Sequence, residues 1–258
     1  MKPIAYTGWA ILSVLLFSVC VAAAEGPGSQ LAQQVFNRDR GKDAESVAQM
    51  VLVNKSGKKR VRHFTVKRIQ ENGLEKQLTR FTSPADIDGT GFLSIEKPGW
   101  ETEQFLYLPA LRRTRRIVSS QKSQRFVNSD FTYEDMERHS VSDYTHTITG
   151  ETQVGNTDCH ILESSPKPGV ESQYSRTVSL IGADSLIPVQ VNYYDKKNTH
   201  IKTYKVLKLE KIQEIWTEIL TSMEDHKRGH KTYIKQEKIV YNSNIDTDEI
   251  SRKNLEDY

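Results

Sequence analysis

Four arginines lie within five residues of the run Leu111–Ile117: Arg112, Arg113, Arg115 and Arg116. Guanidinium groups are planar donors whose geometry suits carboxylates and phosphates. If the run Leu111–Val118 is a strand, alternation places Arg112 and Arg116 on one face and Arg113 and Arg115, with Leu111 and Ile117, on the other. We interpret the arginines as a rim that binds an anionic group or an acidic partner, with ion pairing to the chain's own carboxylates as the alternative.

Three carboxylates, Asp130, Glu134 and Asp135, follow the arginines in the segment Ser119–His139. They could form an acid/base set, or Asp130 and Glu134 could pair with the arginines. Short carboxylate side chains also cap and pair local turns, as at the start of a short helix. We favour this structural role within the segment.

Other signatures of catalysis are missing from the sequence. It has no G-x-S-x-G, no H-E-x-x-H, no phosphate-binding glycine loop and no C-x-x-C pair. His226 and His230 are separated by a predicted turn, Lys227-Arg228-Gly229, so we expect no metal site there. We predict neither an enzyme nor a cofactor. A net charge of +3, without exposed aromatics along a basic face, also argues against nucleic acid as a partner.

The first residues have the order of a secretory signal: Lys2, an apolar run from Gly8 to Val21, and three small residues at positions 22–24. We predict a signal peptide over residues 1–24 and a soluble, exported protein beginning at Glu25. Val19 before Cys20 disfavours lipid attachment at that cysteine. Cys159 is then the single cysteine of the exported chain, and we expect it to be a buried apolar side chain.

The rest of the chain, residues 25–258, has the pattern of one mostly β domain. A helix is predicted from Ser29, with Leu31, Ala32, Val35 and Phe36 on one side. From Ser46 onwards, short alternating runs are separated by polar turns, which indicates hairpins. We expect about eleven strands in one antiparallel sheet. Because strand twist accumulates, so large a sheet should curl into an incomplete β-barrel with a few short helices as its cover.

The segment Ser119–His139, here called the cover segment, alternates poorly and carries several aromatic residues. We expect it to close the concave side of the sheet over an apolar cavity. One strand face carries Lys59, Arg60, Arg62, Lys67 and Arg68, and we assign this face to solvent. The residues that we predict to line the cavity are apolar or aromatic: Phe92, Phe105, Tyr107, Ile117, Phe126, Phe131 and Tyr133.

Three runs together resemble the motifs of the LolA-like outer-membrane lipoprotein-sorting family. They are PADIDGTGFLSI at 84–95, FLYLPALRRTRRI at 105–117 and NSDFTYED at 128–135. The third departs from the family pattern at Asn128, where glycine is usual.

The resemblance implies a periplasmic carrier in which an incomplete β-barrel shields acyl chains of a lipid or lipoprotein between membranes. It also implies partners such as an inner-membrane exporter or an outer-membrane acceptor. We expect a monomer. The alternative is a lipid-sensing or accessory module that regulates a protein partner such as a lipid exporter.

Overall fold

The computed structural model describes residues 26–99 and 101–257. The predicted signal peptide, Cys20 and Glu25 lie outside these residues. The described residues contain two α-helices, α1 (Pro27–Phe36) and α2 (Arg252–Glu256). The strands between them are β1 (Asp43–Val53), β2 (Lys59–Glu71), β3 (Leu74–Ser83), β4 (Gly91–Glu96), β5 (Thr102–Leu108), β6 (Arg113–Ile117), β7 (Tyr144–Val154), β8 (Thr157–Pro166), β9 (Tyr174–Gly182), β10 (Pro188–Asp195), β11 (His200–Ile212), β12 (Ile215–Asp225) and β13 (His230–Tyr241).

The strands form one antiparallel sheet in the order β6-β5-β4-β3-β2-β1-β13-β12-β11-β10-β9-β8-β7. The predicted fold class is confirmed, with thirteen strands in place of about eleven, because each alternating run between two turns forms its own strand. The sheet is not closed. Its edges are β6 and β7, while β1 and β13 pair in its middle, with Ala44 opposite Tyr241.

Side chains alternate between two faces of the sheet. The inner face carries the largest apolar cluster, which includes Met50, Phe64 and Phe81. The outer face carries a second cluster, formed by Ile69, Leu78, Leu93, Phe105 and Tyr107, and this cluster is covered by Ile250 and Leu255 from the C-terminal segment. Both faces of this half of the sheet are therefore buried.

The cover segment joins β6 to β7, the two edge strands, and it lies against the inner face. It contains three short 3-10 turns, Ser119–Gln121, Phe126–Asn128 and Glu134–Met136. Phe126, Phe131 and Tyr133 pack into the inner cluster. The connection between the edges of the open sheet is thus also the lid over its inner face.

Helix α1 begins two residues before the predicted cap, Ser29, which lies inside the helix. Pro27 takes the first helical position, where its missing N–H costs no hydrogen bond. Leu31 and Ala32 pack against Leu162 and Ile181. The helix is close to the edge strand β7, since a Cβ on Gly28 would lie 2.3 Å from the carbonyl oxygen of His146.

Two details of the predicted strands are wrong. Strand β6 begins at Arg113 and not at Leu111, because Pro109–Leu111 forms a 3-10 turn that ends at Arg112 with φ 44°. The charged residues of β2 do not share a solvent face, since Arg62 and Arg68 alternate with Lys67 and are buried on the inner face beside Phe64. Lys67 points outward and pairs with Glu249.

Among the described residues, neither helix has the length and apolar composition needed to cross a membrane.

Candidate functional site: the covered cavities and the arginines around them

The predicted cavity residues separate onto the two faces of the sheet. Five of them belong to the inner cluster beneath the cover segment: Phe92, Ile117, Phe126, Phe131 and Tyr133. Phe105 and Tyr107 lie on the outer face with Leu255. The structure therefore does not bring these two together with the other five.

An aromatic group fills the inner face beside strands β3 to β5. The ring centroids of Phe92 and Phe126 are 4.9 Å apart, and that of Tyr133 lies about equally far from both, at 5.9 and 6.0 Å. Phe81 extends the group, 6.0 Å from Phe126. The Tyr133 carbonyl also accepts a hydrogen bond from the buried side-chain amide of Gln104, at 2.8 Å. Side chains thus fill this end of the inner face.

Two neighbouring cavities lie beyond the aromatic group, on the inner side of the sheet. The central cavity, of about 240 Å³, lies between the cover segment and the middle strands, and its apolar wall includes Met50, Phe64, Phe126 and Phe131. The helix-side cavity, of about 370 Å³, lies between α1, the cover segment and strands β8 to β10. Arg38 and Arg40 line both cavities, so the two are neighbours across these arginines.

The cover segment is anchored to the sheet through Asp130, whose side chain is fully buried. Its carboxylate accepts hydrogen bonds from Thr232 Oγ1 at 2.7 Å and from His230 Nδ1 at 2.8 Å. Arg228 Nη1 lies 3.4 Å away. The backbone N–H of Asp130 donates to Thr232 Oγ1 at 3.0 Å. Asp130 is therefore an anchor to β13 and does not pair with the arginine run.

A second anchor is formed by Asp135 and the ammonium of Lys202 on β11, 2.5 Å apart. Tyr174 completes it, since its hydroxyl donates to Asp135 at 2.6 Å and accepts from Lys202 at 2.9 Å. Burial and the Asp135 carboxylate raise the pKa of Tyr174 well above its ordinary value. Glu134 accepts from the Ser172 hydroxyl and the Gln173 N–H. The three carboxylates thus fasten the cover to the rest of the protein, and Asp135 also accepts a hydrogen bond from the Thr132 N–H at 2.7 Å, which is the predicted pairing within the segment.

A cluster of arginines that the sequence interpretation missed lies on the inner side of the protein. We call Arg38, Arg40, Arg68 and Arg138 the inner guanidinium cluster. Glu75 lies 2.7 Å from Arg40, 3.6 Å from Arg68 and 3.9 Å from Arg138. Glu96 lies 3.2 Å from Arg138. Two carboxylates therefore serve three of the four guanidinium groups.

Burial lowers the pKa of Arg38, Arg68 and Arg138. Burial likewise raises the pKa of Glu96, against the attraction of Arg138. Guanidinium groups keep their proton in proteins, so these shifts report charges that are poorly solvated. Strand alternation could have predicted that Arg68 faces inward, because it stands two residues after Val66 and four after Phe64. Arg38 and Arg138 lie outside the strands, so alternation does not predict their position.

Three arginines of the run lie on the edge strand β6, and Arg112 lies in the turn before it. Arg116 points outward and pairs with Glu103 at 3.2 Å and Glu101 at 3.5 Å. The side chains of Arg112, Arg113 and Arg115 make no hydrogen bond or ion pair with any residue in the described ranges. Ion pairing thus accounts for one of the four arginines, and its partners are Glu103 on the neighbouring strand β5 and Glu101 immediately before that strand.

The histidines have structural partners. His230 Nδ1 donates to the Asp130 carboxylate, and His226 Nε2 lies 2.9 Å from Thr203 Oγ1. Over residues 26–99 and 101–257, no group of three or more His, Cys, Asp or Glu side chains could hold a metal ion. Cys159 is buried, as predicted.

Comparison with known proteins identifies relatives. A family model described as "uncharacterized protein" matches residues 73–257. No curated protein matches the chain. The crystal structure of a DUF1329 family protein from Desulfovibrio piger is 32% identical, covers 88% of this chain and 97% of its own, and superposes with a TM-score of 0.84.

Two further structures share the fold. A domain from Vibrio parahaemolyticus, named for outer membrane lipoprotein sorting, is 27% identical with a TM-score of 0.83, over 89% of this chain and 98% of its own. A LolA superfamily protein from Nitrosomonas europaea shares the fold at 13% identity and a TM-score of 0.69, over 88% and 98%. These similarities confirm the resemblance read from the three motifs, and the chain belongs to the DUF1329 family, with the fold of the LolA superfamily.

Proposed function

We propose that the protein is a periplasmic carrier that binds an acyl chain of a lipid or lipoprotein on its inner face and carries it between membranes. The observation that supports this most strongly is a cavity with an apolar wall that lies beneath a cover segment joining the two edges of the sheet. The name of the Vibrio relative, which refers to outer membrane lipoprotein sorting, points to the same class of cargo.

Burial of an acyl chain gives about 0.8 kcal/mol per methylene, so a short stretch of chain in the central cavity gives useful affinity. The cover is held by polar anchors at Asp130 and Asp135, whose hydrogen bonds can exchange with water when the cover opens. An apolar wall with a polar fastening is suited to loading and release.

The arginine run is the proposed docking site for an acidic protein surface on a donor or acceptor. Arg112, Arg113 and Arg115 lie at the free edge of the sheet and have no acidic partner in the described part of the chain. Their charge is therefore available to an external carboxylate, and complementary charges increase association rates in a salt-dependent way.

Vesicle transfer tests the carrier function. Donor vesicles of phosphatidylcholine with a self-quenching fluorescent phospholipid are mixed with unlabelled acceptors, and the protein should raise the rate of dequenching in proportion to its concentration. A lipid-sensing module, the alternative function, would bind the probe without raising this rate. Mass spectrometry of material extracted from protein purified out of the periplasm identifies the natural cargo.

Phe131 and Phe105 provide a matched pair of variants. Both are buried phenylalanines, but Phe131 lines the central cavity and Phe105 packs on the outer face. Phe131→Ala should weaken the affinity for a fluorescent fatty acid by about tenfold, the equivalent of 1.4 kcal/mol, because it removes part of the apolar wall. Phe105→Ala should leave this affinity unchanged. Equal effects of the two folded variants would contradict the inner cavity as the binding site.

A further inference from the structure

The inner guanidinium cluster carries more positive charge than the protein neutralises. The cluster has four guanidinium groups, but Glu75 and Glu96 pair with only three of them, and Arg38 has no carboxylate within ion-pair distance among the described residues. Glu218 acts on Arg38 only through its more distant field, and it accepts a hydrogen bond from Tyr204 at 3.0 Å. Poorly solvated charges are costly unless they are paired, so an excess cation in this place favours an anion beside it.

Polar atoms of the same cavity also lack hydrogen-bond partners among the described residues. Arg68 is only 6% exposed, and its Nη1 atom makes no hydrogen bond with any described residue. Its closest carboxylate oxygen, on Glu75, is 3.6 Å away. Thr79 Oγ1 and Gln236 Oε1, which line the central cavity with Arg68, are likewise buried without a partner. Buried polar groups are normally hydrogen-bonded, and several unmatched groups around one cavity point to a polar ligand.

The apolar and the cationic parts belong to one cavity. Arg38, Arg40 and Arg68 line the central cavity together with Met50, Phe64 and Phe131. Such a cavity matches a molecule with an apolar chain and an anionic end. The guanidinium groups provide planar, paired donors, which suit the oxygens of a carboxylate or a phosphate.

We propose that the inner guanidinium cluster binds the anionic headgroup, carboxylate or phosphate, of an amphiphile whose acyl chain lies along the apolar wall of the central cavity. This inference rests on the proposed carrier function and specifies the class of its cargo. It places the headgroup inside the protein beside Arg38 and Arg68, and leaves the arginines of the edge strand for contact with a partner.

Two fluorescent probes that differ in charge and by one methyl group test the proposal: dansylamino-undecanoic acid and its methyl ester. The variants are Arg38→Gln and Arg40→Gln. Arg38 pairs with no described carboxylate, so its replacement leaves none unpaired, whereas Arg40 pairs with Glu75. Lys208→Gln, an exposed lysine, is the control for the loss of one positive charge. Thermal unfolding by circular dichroism shows which variants are folded, so that Arg38→Gln gives an answer if Arg40→Gln does not fold.

The wild-type protein and Lys208→Gln should bind the acid about tenfold more tightly than the ester, as expected for one charge-assisted hydrogen bond. Arg38→Gln and Arg40→Gln should lose this preference while keeping the affinity for the ester. Equal binding of acid and ester by the wild type would overturn the headgroup site but leave the carrier intact. Binding of neither probe would overturn the carrier function itself.

Competition separates a headgroup from a free anion. Dodecyl phosphate should displace the acid probe at concentrations far below those at which inorganic phosphate does. Displacement by both at the same concentration would show a site for free anions and would overturn the amphiphile assignment.

Discussion

The Asp135 carboxylate of the cover segment lies 2.5 Å from the ammonium nitrogen of Lys202 on strand β11, and both side chains are almost completely buried. This contact joins the cover to the half of the sheet that follows it in sequence. It is stabilised by Tyr174, which hydrogen-bonds to both groups. Replacing either residue of this pair should therefore give a measurable loss of unfolding free energy.

Asp135→Asn should destabilise the protein by about 3–5 kcal/mol, because it leaves the Lys202 ammonium buried without a countercharge. Adding Lys202→Met should recover a large part of this loss, since the second change removes the unpaired charge. Urea unfolding of the two single variants and the double variant measures the coupling. Losses that simply add would contradict a direct pair.

Leu255→Ala should cost about 2–5 kcal/mol of unfolding free energy, because Leu255 is fully buried over the outer cluster. The affinity for a fluorescent fatty acid should not change, since the residue lies on the face opposite the cavities. Leu207→Ala, at a side chain that is 49% exposed, is the control and should stay within about 0.5 kcal/mol of the wild type.

Gly28→Ala should detach α1 from the edge of the sheet. Its Cβ would lie 2.3 Å from the carbonyl oxygen of His146, and backbone cannot give way as a flexible side chain can. We expect a loss of about 1–3 kcal/mol and faster hydrogen exchange in α1. Gly26→Ala has open space around its Cβ and is the matched control. Unchanged exchange in Gly28→Ala would show that the helix does not dock as described.

Acidification should weaken the folded protein through His146. Burial lowers its pKa below the ordinary value of 6.5; its hydrogen bond to the Val141 carbonyl opposes this shift, while Lys167 adds to it. Between the two values the unfolded chain binds more protons, so stability is complete above pH 6.5 and falls as pH decreases towards the folded pKa. His146→Gln should reduce the slope of unfolding free energy against pH between 7 and 5. An unchanged slope would remove His146 from this effect.

Replacing Arg113 and Arg115 by glutamine should slow delivery to an acidic partner more than it lowers the melting temperature. The exposed side chains have no ion pairs in the described structure to lose, and even exposed pairs contribute only about 0–1 kcal/mol each. The difference in rate between wild type and variant should shrink with added salt. Equal rates at low and high salt for both proteins would assign the run a structural role.

The alternation of apolar and polar residues was enough to predict the antiparallel strands, and accumulated strand twist predicted an open, curled sheet. The cover segment was recognised because it alternates poorly and is rich in aromatic residues. Alternation separates odd from even positions, but it does not say which set faces inward when both are apolar. Phe105 and Tyr107 were misplaced for this reason, because the outer face of β5 is also buried, under Leu255. That burial comes from a segment about 150 residues later, which no local pattern of β5 reveals.

Charge was misread in a different way. Arg62 and Arg68 were grouped with Lys67 as a solvent face, although strand geometry separates even from odd positions. Strict alternation would have placed Arg68 beside Val66 and Phe64. We assigned Arg68 to solvent because buried positions are usually apolar. That expectation fails here, because the interior contains a carboxylate, Glu75, that pairs with the guanidinium group.

The pairing of β1 with β13 in the middle of the sheet also shapes how the chain folds. The other strand pairs join consecutive strands, whereas this one brings together residues such as Ala44 and Tyr241. Each half is a meander of local contacts, and closing the long loop between β1 and β13 carries the larger entropic cost. We expect pulse-labelling hydrogen exchange during refolding to protect the amides between consecutive strands first and those between β1 and β13 last. The cover segment, which connects the two halves, would then tether them while this central seam closes.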